Sequence, residues 1–136
     1  MNIYQTKGEK LAGSDFGEVH KKARRIYDGI CIKSKRKPYV RSAYFRREKI
    51  FLDYFWDHLF SKKNLRDRLR RVKLYEVAIE LIKNSNFKPE LRQNPNVKKE
   101  FFYRFRGKTK GGEIFIVQIK ENKNTHQKYF ISVFPE

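Results

Sequence analysis

The chain is short of several things that common enzyme and secreted-protein classes depend on. It has a single cysteine, Cys31, so no internal disulfide and no cysteine-based zinc site can form. It is short of acids, with 15 Asp and Glu against 33 Lys and Arg. No apolar run approaches the about 20 residues that a membrane-spanning helix needs, and the first residues do not read as a signal peptide. The nucleotide-binding patterns GxxxxGK[ST] and GxGxxG are absent, as are HExxH and GxSxG. The three histidines, His20, His58 and His126, lie far apart. These absences argue against a disulfide scaffold, a membrane-spanning protein, a phosphate-loop enzyme, a zinc protease and a serine hydrolase. A cytoplasmic protein with no cofactor and no membrane partner is expected.

What the chain does have is positive charge. Its formal net charge is +18 over 136 residues. Solubility needs nothing of that size. A polyanionic partner explains it, because neutralising phosphates releases counterions and gives strong, salt-dependent affinity. Nucleic acid is the leading partner, ahead of an acidic protein or an anionic membrane surface. The length suggests one domain, with or without an arm, and a real core. Aromatics make up 15% of the residues, so that core is expected to be aromatic-rich.

Taken in order, residues 1–45 read as a basic N-terminal arm with a short helix. Ser14 and Asp15 are good caps, Val19, Ala23, Ile26 and Tyr27 form a stripe, and Gly29 is the expected stop. Lys33, Lys35, Arg36, Lys37 and Arg41 follow, interleaved with Tyr39, Tyr44 and Phe45. Cations among aromatics suit phosphate contact with base stacking, although a solvated arm would look the same. Residues 46–136 read as a second unit. Phe51, Phe55 and Leu59 predict a helix over 46–63, and the stripe from Leu65 to Ile82 predicts another over 64–84. A connection bearing Pro89 and Pro95 leads to three alternating runs, which predict antiparallel strands. The fold class is α+β: two or three N-terminal helices packed on a C-terminal antiparallel sheet of at least three strands.

Strict alternation gives that sheet two faces. Phe101, Tyr103, Phe105, Phe115, Val117, Ile119, Tyr129, Ile131 and Val133 share the apolar one. Arg104, Arg106, Lys108, Gln118, Lys120, Lys128 and Ser132 share the other. Acids are missing from this second face, which argues against a two-metal nuclease site. RNA can be cleaved without a metal, because its own 2′-hydroxyl attacks the adjacent phosphodiester. Such a site needs donors for the phosphorane charge, an acid and a base. Arginine suits the first task through its planar fork. His58, at the border of an apolar helical stripe, is the best available base near neutral pH. A helical histidine is also commonly a packing residue, and cations can simply solvate a sheet face.

Two helices, a compact antiparallel sheet with a basic face, the helical segment Asp57-His58-Leu59, the turn Asn84–Pro89 and the final Ser132, Phe134 and Pro135 resemble the barnase, EndoU, colicin and RelE-like ribonuclease superfamily. The likeness covers roughly residues 46–136 and is greatest to its phage- and mobile-element-associated branch. It implies a RelE- or barnase-like domain and metal-independent endoribonuclease activity as a toxin or mobile-element effector. It also implies an acidic, antitoxin-like inhibitor as a partner. By that likeness Arg104 and Arg106 bind the scissile phosphate, Lys120 does so or acts as acid, Ser132 hydrogen-bonds the phosphate and His58 is the base. Lys35, Arg36, Lys37, Arg41, Lys108, Gln118 and Lys128 would hold the RNA. RelE-like toxins use a late tyrosine with Lys and Arg, whereas the alternation here places Tyr129 on the apolar face. The other reading from the residues is a non-catalytic RNA- or DNA-binding module, and a third is a degenerate nuclease fold that binds an acidic protein.

Overall fold

The three C-terminal strands form and pair antiparallel, and they are the centre of a larger sheet. In the computed structural model, which describes residues 2–136, the elements in chain order are β1 (Tyr4–Gln5), α1 (Phe16–Lys33), β2 (Tyr39–Ser42), β3 (Glu48–Phe51), α2 (Tyr54–Phe60), α3 (Leu65–Lys73), α4 (Tyr75–Asn84), β4 (Glu90–Gln93), β5 (Glu100–Lys108), β6 (Ile114–Asn122) and β7 (Lys128–Pro135). The fold is α+β. The strands run in the order β1-β5-β6-β7-β3-β2, and β4 also pairs with β5. The β1–β5 and β3–β7 pairs are parallel and the others antiparallel. The expected order of helices first and strands afterwards is therefore corrected. Strands β1, β2 and β3 are interleaved with the helices.

Three helix expectations change with it. Residues 48–51 are a strand, not the start of a helix. They pair with both β2 and β7, and Arg46 and Arg47 hold left-handed φ values of 53° and 68° in the turn before them. No helix contains that conformation. Helix α1 starts as expected, with the Asp15 carboxylate accepting from the Glu18 amide, yet it runs through Gly29 to Lys33. One glycine costs a helix only about 1 kcal/mol. The expected 64–84 helix breaks at Leu74, which leaves the helical region (φ −92°, ψ 4°).

The core lies between the helices and the inner face of the sheet. Val19, Ala23 and Tyr27 of α1 and Val40 of β2 belong to it, so the expected boundary at residue 45 does not divide the packing. Gly107 lets α4 approach β5. A Cβ there would stand 2.4 Å from the Phe115 ring and 2.8 Å from Leu81. Phe130 is fully buried, stacked on Phe55 with ring centroids 4.8 Å apart. Burying such a ring contributes up to about 3 kcal/mol.

Phe130 is inside because β7 does not alternate strictly. Gln118 pairs with Ser132, but Ile119 pairs with Phe130, so Ile131 is an extra residue in a β-bulge. A bulge inverts the phase of everything before it. Lys128 and Phe130 therefore face inward and Tyr129 outward, the reverse of the expectation for Lys128 and Tyr129. Ser132 and Phe134 keep the expected side.

Candidate functional site

The outer face of the sheet is built in rows that the register fixes. Arg104, Gln118 and Ser132 are direct neighbours on β5, β6 and β7. The Arg104 Nε donates to Gln118 Oε1 at 2.9 Å. Gln118 and Ser132 are both buried. Arg71 reaches this row from α3, its Nη1 donating to Ser132 Oγ at 2.6 Å while its Nε donates to both Asp67 carboxylate oxygens at 3.2 and 3.1 Å. Two guanidinium groups also flank Phe134, that of Arg71 at 5.2 Å and that of Arg104 at 5.8 Å from the ring centre. Arg106 lies one step along β5 and pairs with Glu136.

A second row holds Phe102, Lys120 and Tyr129. Lys120 pairs with Glu100 at 3.3 Å and stands over the rings of Tyr54 and Tyr129 at 5.4 and 5.7 Å. Burial, then the neighbouring Tyr54 and Asp53, raise the Tyr129 hydroxyl, so it stays protonated at neutral pH, and it donates to Gln127 Oε1 at 2.6 Å.

Helices α2 and α3 lie against β7 and wall this face on one side. Strand β3 meets β7 at Lys128 and Tyr129, and helices α2 and α3 lie along the rest of that edge. His58 of α2 enters the site there. With Tyr54, Asp57, Gln118 and Lys120 it lines a cavity of about 420 Å³. Burial comes first, and the charges of Lys62, Arg71 and Lys120 add to it, in lowering His58 to about 4. Its imidazole is neutral at pH 7. A second cavity, of about 660 Å³, has Arg104, Arg106, Arg92, Lys88 and Phe134 in its wall. The two adjoin across the bond between Arg104 and Gln118.

Arg104, Arg106, Gln118, Lys120, Ser132 and His58 are thus brought to one side of the molecule. Lys128 is not. It is buried on the inner face, its Nζ held by both Glu48 oxygens at 3.0 and 2.9 Å and by Glu121 at 3.3 Å. Tyr103 donates to the same Glu121 at 2.7 Å. A buried ammonium between two carboxylates is a packing element and cannot meet an RNA phosphate. Lys108 is exposed at the far end of β5, beside Gln5. Lys35, Arg36 and Lys37 lie between α1 and β2, at the opposite edge of the sheet, and Arg41 on β2 stands over Tyr39. His20 stacks on Phe16 and packs edge-on to Trp56 and Phe60, a packing role.

No protein-family model, curated protein or solved structure matches this chain. The site has to be read from its own geometry. Among the described residues, no three His, Cys, Asp or Glu side chains gather where they could hold a metal ion, and no helix is long and apolar enough to cross a membrane. The available chemistry is that of guanidinium and ammonium groups, two tyrosine hydroxyls, a neutral imidazole and the carboxylates of Asp57 and Glu100. Arg71, Tyr54 and Tyr129 were not anticipated. Arg71 had no signal, since Asp67 and Arg71 are one helical turn apart and such a pair stabilises a helix with no partner beyond it. Tyr129 had one. Strict alternation leaves Phe130 on the charged face, a poor place for it.

Proposed function

We propose that the protein is a metal-independent endoribonuclease of the barnase, EndoU, colicin and RelE-like kind, acting in the cytoplasm as a toxin or mobile-element effector. The observation that carries this reading is a cavity lined by Lys120, Gln118 and a neutral His58, with Arg104 bonded to Gln118 and Arg71 bonded to Ser132 in the adjoining row. His58 removes the proton of a 2′-hydroxyl. The freed oxygen attacks phosphorus, and Arg104, Arg71 and Arg106 take up the charge on the phosphorane oxygens. The 5′-oxygen leaves with a proton from Lys120 or the Tyr129 hydroxyl beside it, and a 2′,3′-cyclic phosphate remains. The outward turn of Tyr129 supplies the late tyrosine that strict alternation denied. An acidic inhibitor protein suits the same cationic groove.

The test is a labelled RNA incubated with the protein in EDTA. Cleavage leaving 2′,3′-cyclic ends is expected, with Arg104→Ala reducing it by roughly 10²–10³-fold, the usual effect of losing one charge-stabilising donor. RNA bound without cleavage over varied sequences would sink the enzyme and leave the second reading, a non-catalytic RNA- or DNA-binding module. That reading is favoured by one observation: each site cation already has a polar or acidic neighbour, Gln118, Glu136, Glu100 or Asp67.

A further inference from the structure

The row through Lys120 does not end at Tyr129. Tyr129 pairs with Phe51 on β3, and Phe51 pairs with Tyr39 on β2. On the other side Lys120 pairs with Phe102, and Phe102 with Arg92 on β4. Directly paired residues share a face. One line of side chains, Tyr39-Phe51-Tyr129-Lys120-Phe102-Arg92, therefore crosses six strands on the outer face. The rings are in contact along it. Tyr39 and Phe51 have centroids 6.4 Å apart, Phe51 and Tyr129 5.9 Å, and Tyr54 joins from α2 at 4.7 Å from Tyr129. The rings are only partly buried, and Tyr54 is 40% exposed. Aromatic rings lined up across an outer sheet face gain nothing from water there.

The far end of this line opens into a cavity of about 630 Å³. Tyr39, Phe51 and Gln127 line it with five cations, Lys33, Lys35, Arg36, Lys37 and Lys49. No acid is among its lining residues. Lys49 stands 4.7 Å from the Tyr39 ring centre. Here the cations differ from those of the candidate active site, where carboxylates stand next to Lys120, Arg106 and Arg71. Stackable rings with unopposed positive charge fit a base and its phosphate together. A duplex keeps its base faces stacked on one another, so only a single strand can use the rings. With strands about 4.8 Å apart, Tyr39 and Lys120 are separated by roughly 14 Å, room for several nucleotides rather than one.

We propose that this line is a path for single-stranded RNA. It runs across the strands from the candidate active site at Lys120 to a terminal nucleotide pocket formed by Tyr39, Phe51, Lys35, Lys37 and Lys49. The proposal rests on the endoribonuclease reading for its substrate, but the path can be tested apart from cleavage. Labelled RNA of eight nucleotides with 2′-O-methyl groups, which cannot be cleaved by 2′-hydroxyl attack, is titrated against the intact protein and against two variants. The Tyr39→Ala, Lys49→Ala pair is expected to bind about 10-fold more weakly or worse, the loss for one stacked base. The single variant Lys49→Glu, at an exposed position that cannot unfold the core, is expected to weaken binding in the same direction. On cleavable RNA both should raise KM and leave kcat unchanged. Unchanged affinity of both variants for the eight-nucleotide RNA would overturn the path even if the protein cleaves RNA. So would duplex RNA binding as tightly as the single strand, or polyglutamate displacing RNA as well as RNA does. If the protein cleaves nothing while the variants lose affinity as described, the path stands and the enzyme reading fails.

Discussion

Lys120 and Lys128 sit on neighbouring strands, and the sheet sends them to opposite faces. Lys128 is buried between Glu48 and Glu121, with Tyr103 and His126 completing the shell around Glu121. Lys120 has one carboxylate neighbour and two tyrosine rings, and it looks into a groove. In the sequence both are lysines on basic strands. What separates them is the phase of one strand, and that phase decides whether a charge holds the fold together or meets a ligand. A buried pair has already given up its hydration and has no capacity left for a phosphate. A cation at a groove keeps some of both.

The comparison is open to three tests, and the largest effect belongs to the inner cluster. Glu121→Ala leaves Lys128 with the exposed Glu48 as its remaining carboxylate partner. Denaturant unfolding should show a loss of about 1–3 kcal/mol, the cost of leaving buried donors short of one acceptor, since Glu48 still neutralises Lys128. RNA affinity per folded molecule should be unchanged. A loss of affinity at unchanged stability would reverse the two assignments.

Next comes pH, which reads both clusters. Burial alone would raise the Glu121 carboxyl. Hydrogen bonds from Tyr103 and His126 and the charge of Lys128 outweigh it and hold the group below its ordinary value of 4.5. Its contribution is present above the unfolded pKa and is lost as pH falls through the folded one. His58 acts in the same direction at higher pH. The folded chain keeps it neutral down to about 4, whereas the unfolded chain binds the proton near 6.5. Stability should fall as pH drops from 6.5 towards 4. In His58→Asn that part of the slope should shrink to the share of His20, which burial also lowers, and the part below 4.5 should be kept. If His58 is the base, the acid limb of kcat/KM lies near 4, and a limb near 6.5 would show a different base.

The smallest effect is expected at Lys35 and Lys37. They are exposed, and no ion pair among the described residues involves either. Replacing each by Ala should weaken RNA binding a few-fold and reduce the salt slope by about one per lost phosphate contact. Stability should not move. Equal losses for Lys35→Ala and Lys120→Ala would erase the distinction between the outer pocket and the candidate active site.

Much of this surface was legible beforehand. The alternation of β5 and β6 placed Arg104, Arg106, Gln118 and Lys120 correctly, because both strands keep their phase throughout. In β7 the same reasoning placed Ser132 and misplaced Lys128 and Tyr129, because one extra residue at Ile131 shifts everything before it. A bulge changes no residue type, so only the conflict at Phe130 announced it. The β2–β3 hairpin was missed for another reason. Phe51, Phe55 and Leu59 fall at helical spacing, but Phe51 ends a strand and Phe55 lies in the next helix. Their regular spacing comes from two elements meeting. The basic, aromatic-interleaved character of residues 33–49 was visible. That these residues add two strands to the sheet was not, since β3 and β7 are paired by tertiary packing and nothing local encodes it.

That parallel pairing has a consequence for how the molecule comes into being. Phe51 meets Tyr129 only across most of the chain, and Tyr4 meets Gly107 over a longer separation still. Contacts so distant in sequence form late, after the local hairpins β5–β6 and β6–β7 have supplied a surface for them. On a ribosome, residues 39–51 would be exposed long before β7 is made, with their rings and cations present but not aligned. The complete outer line across the sheet exists only once β7 has joined.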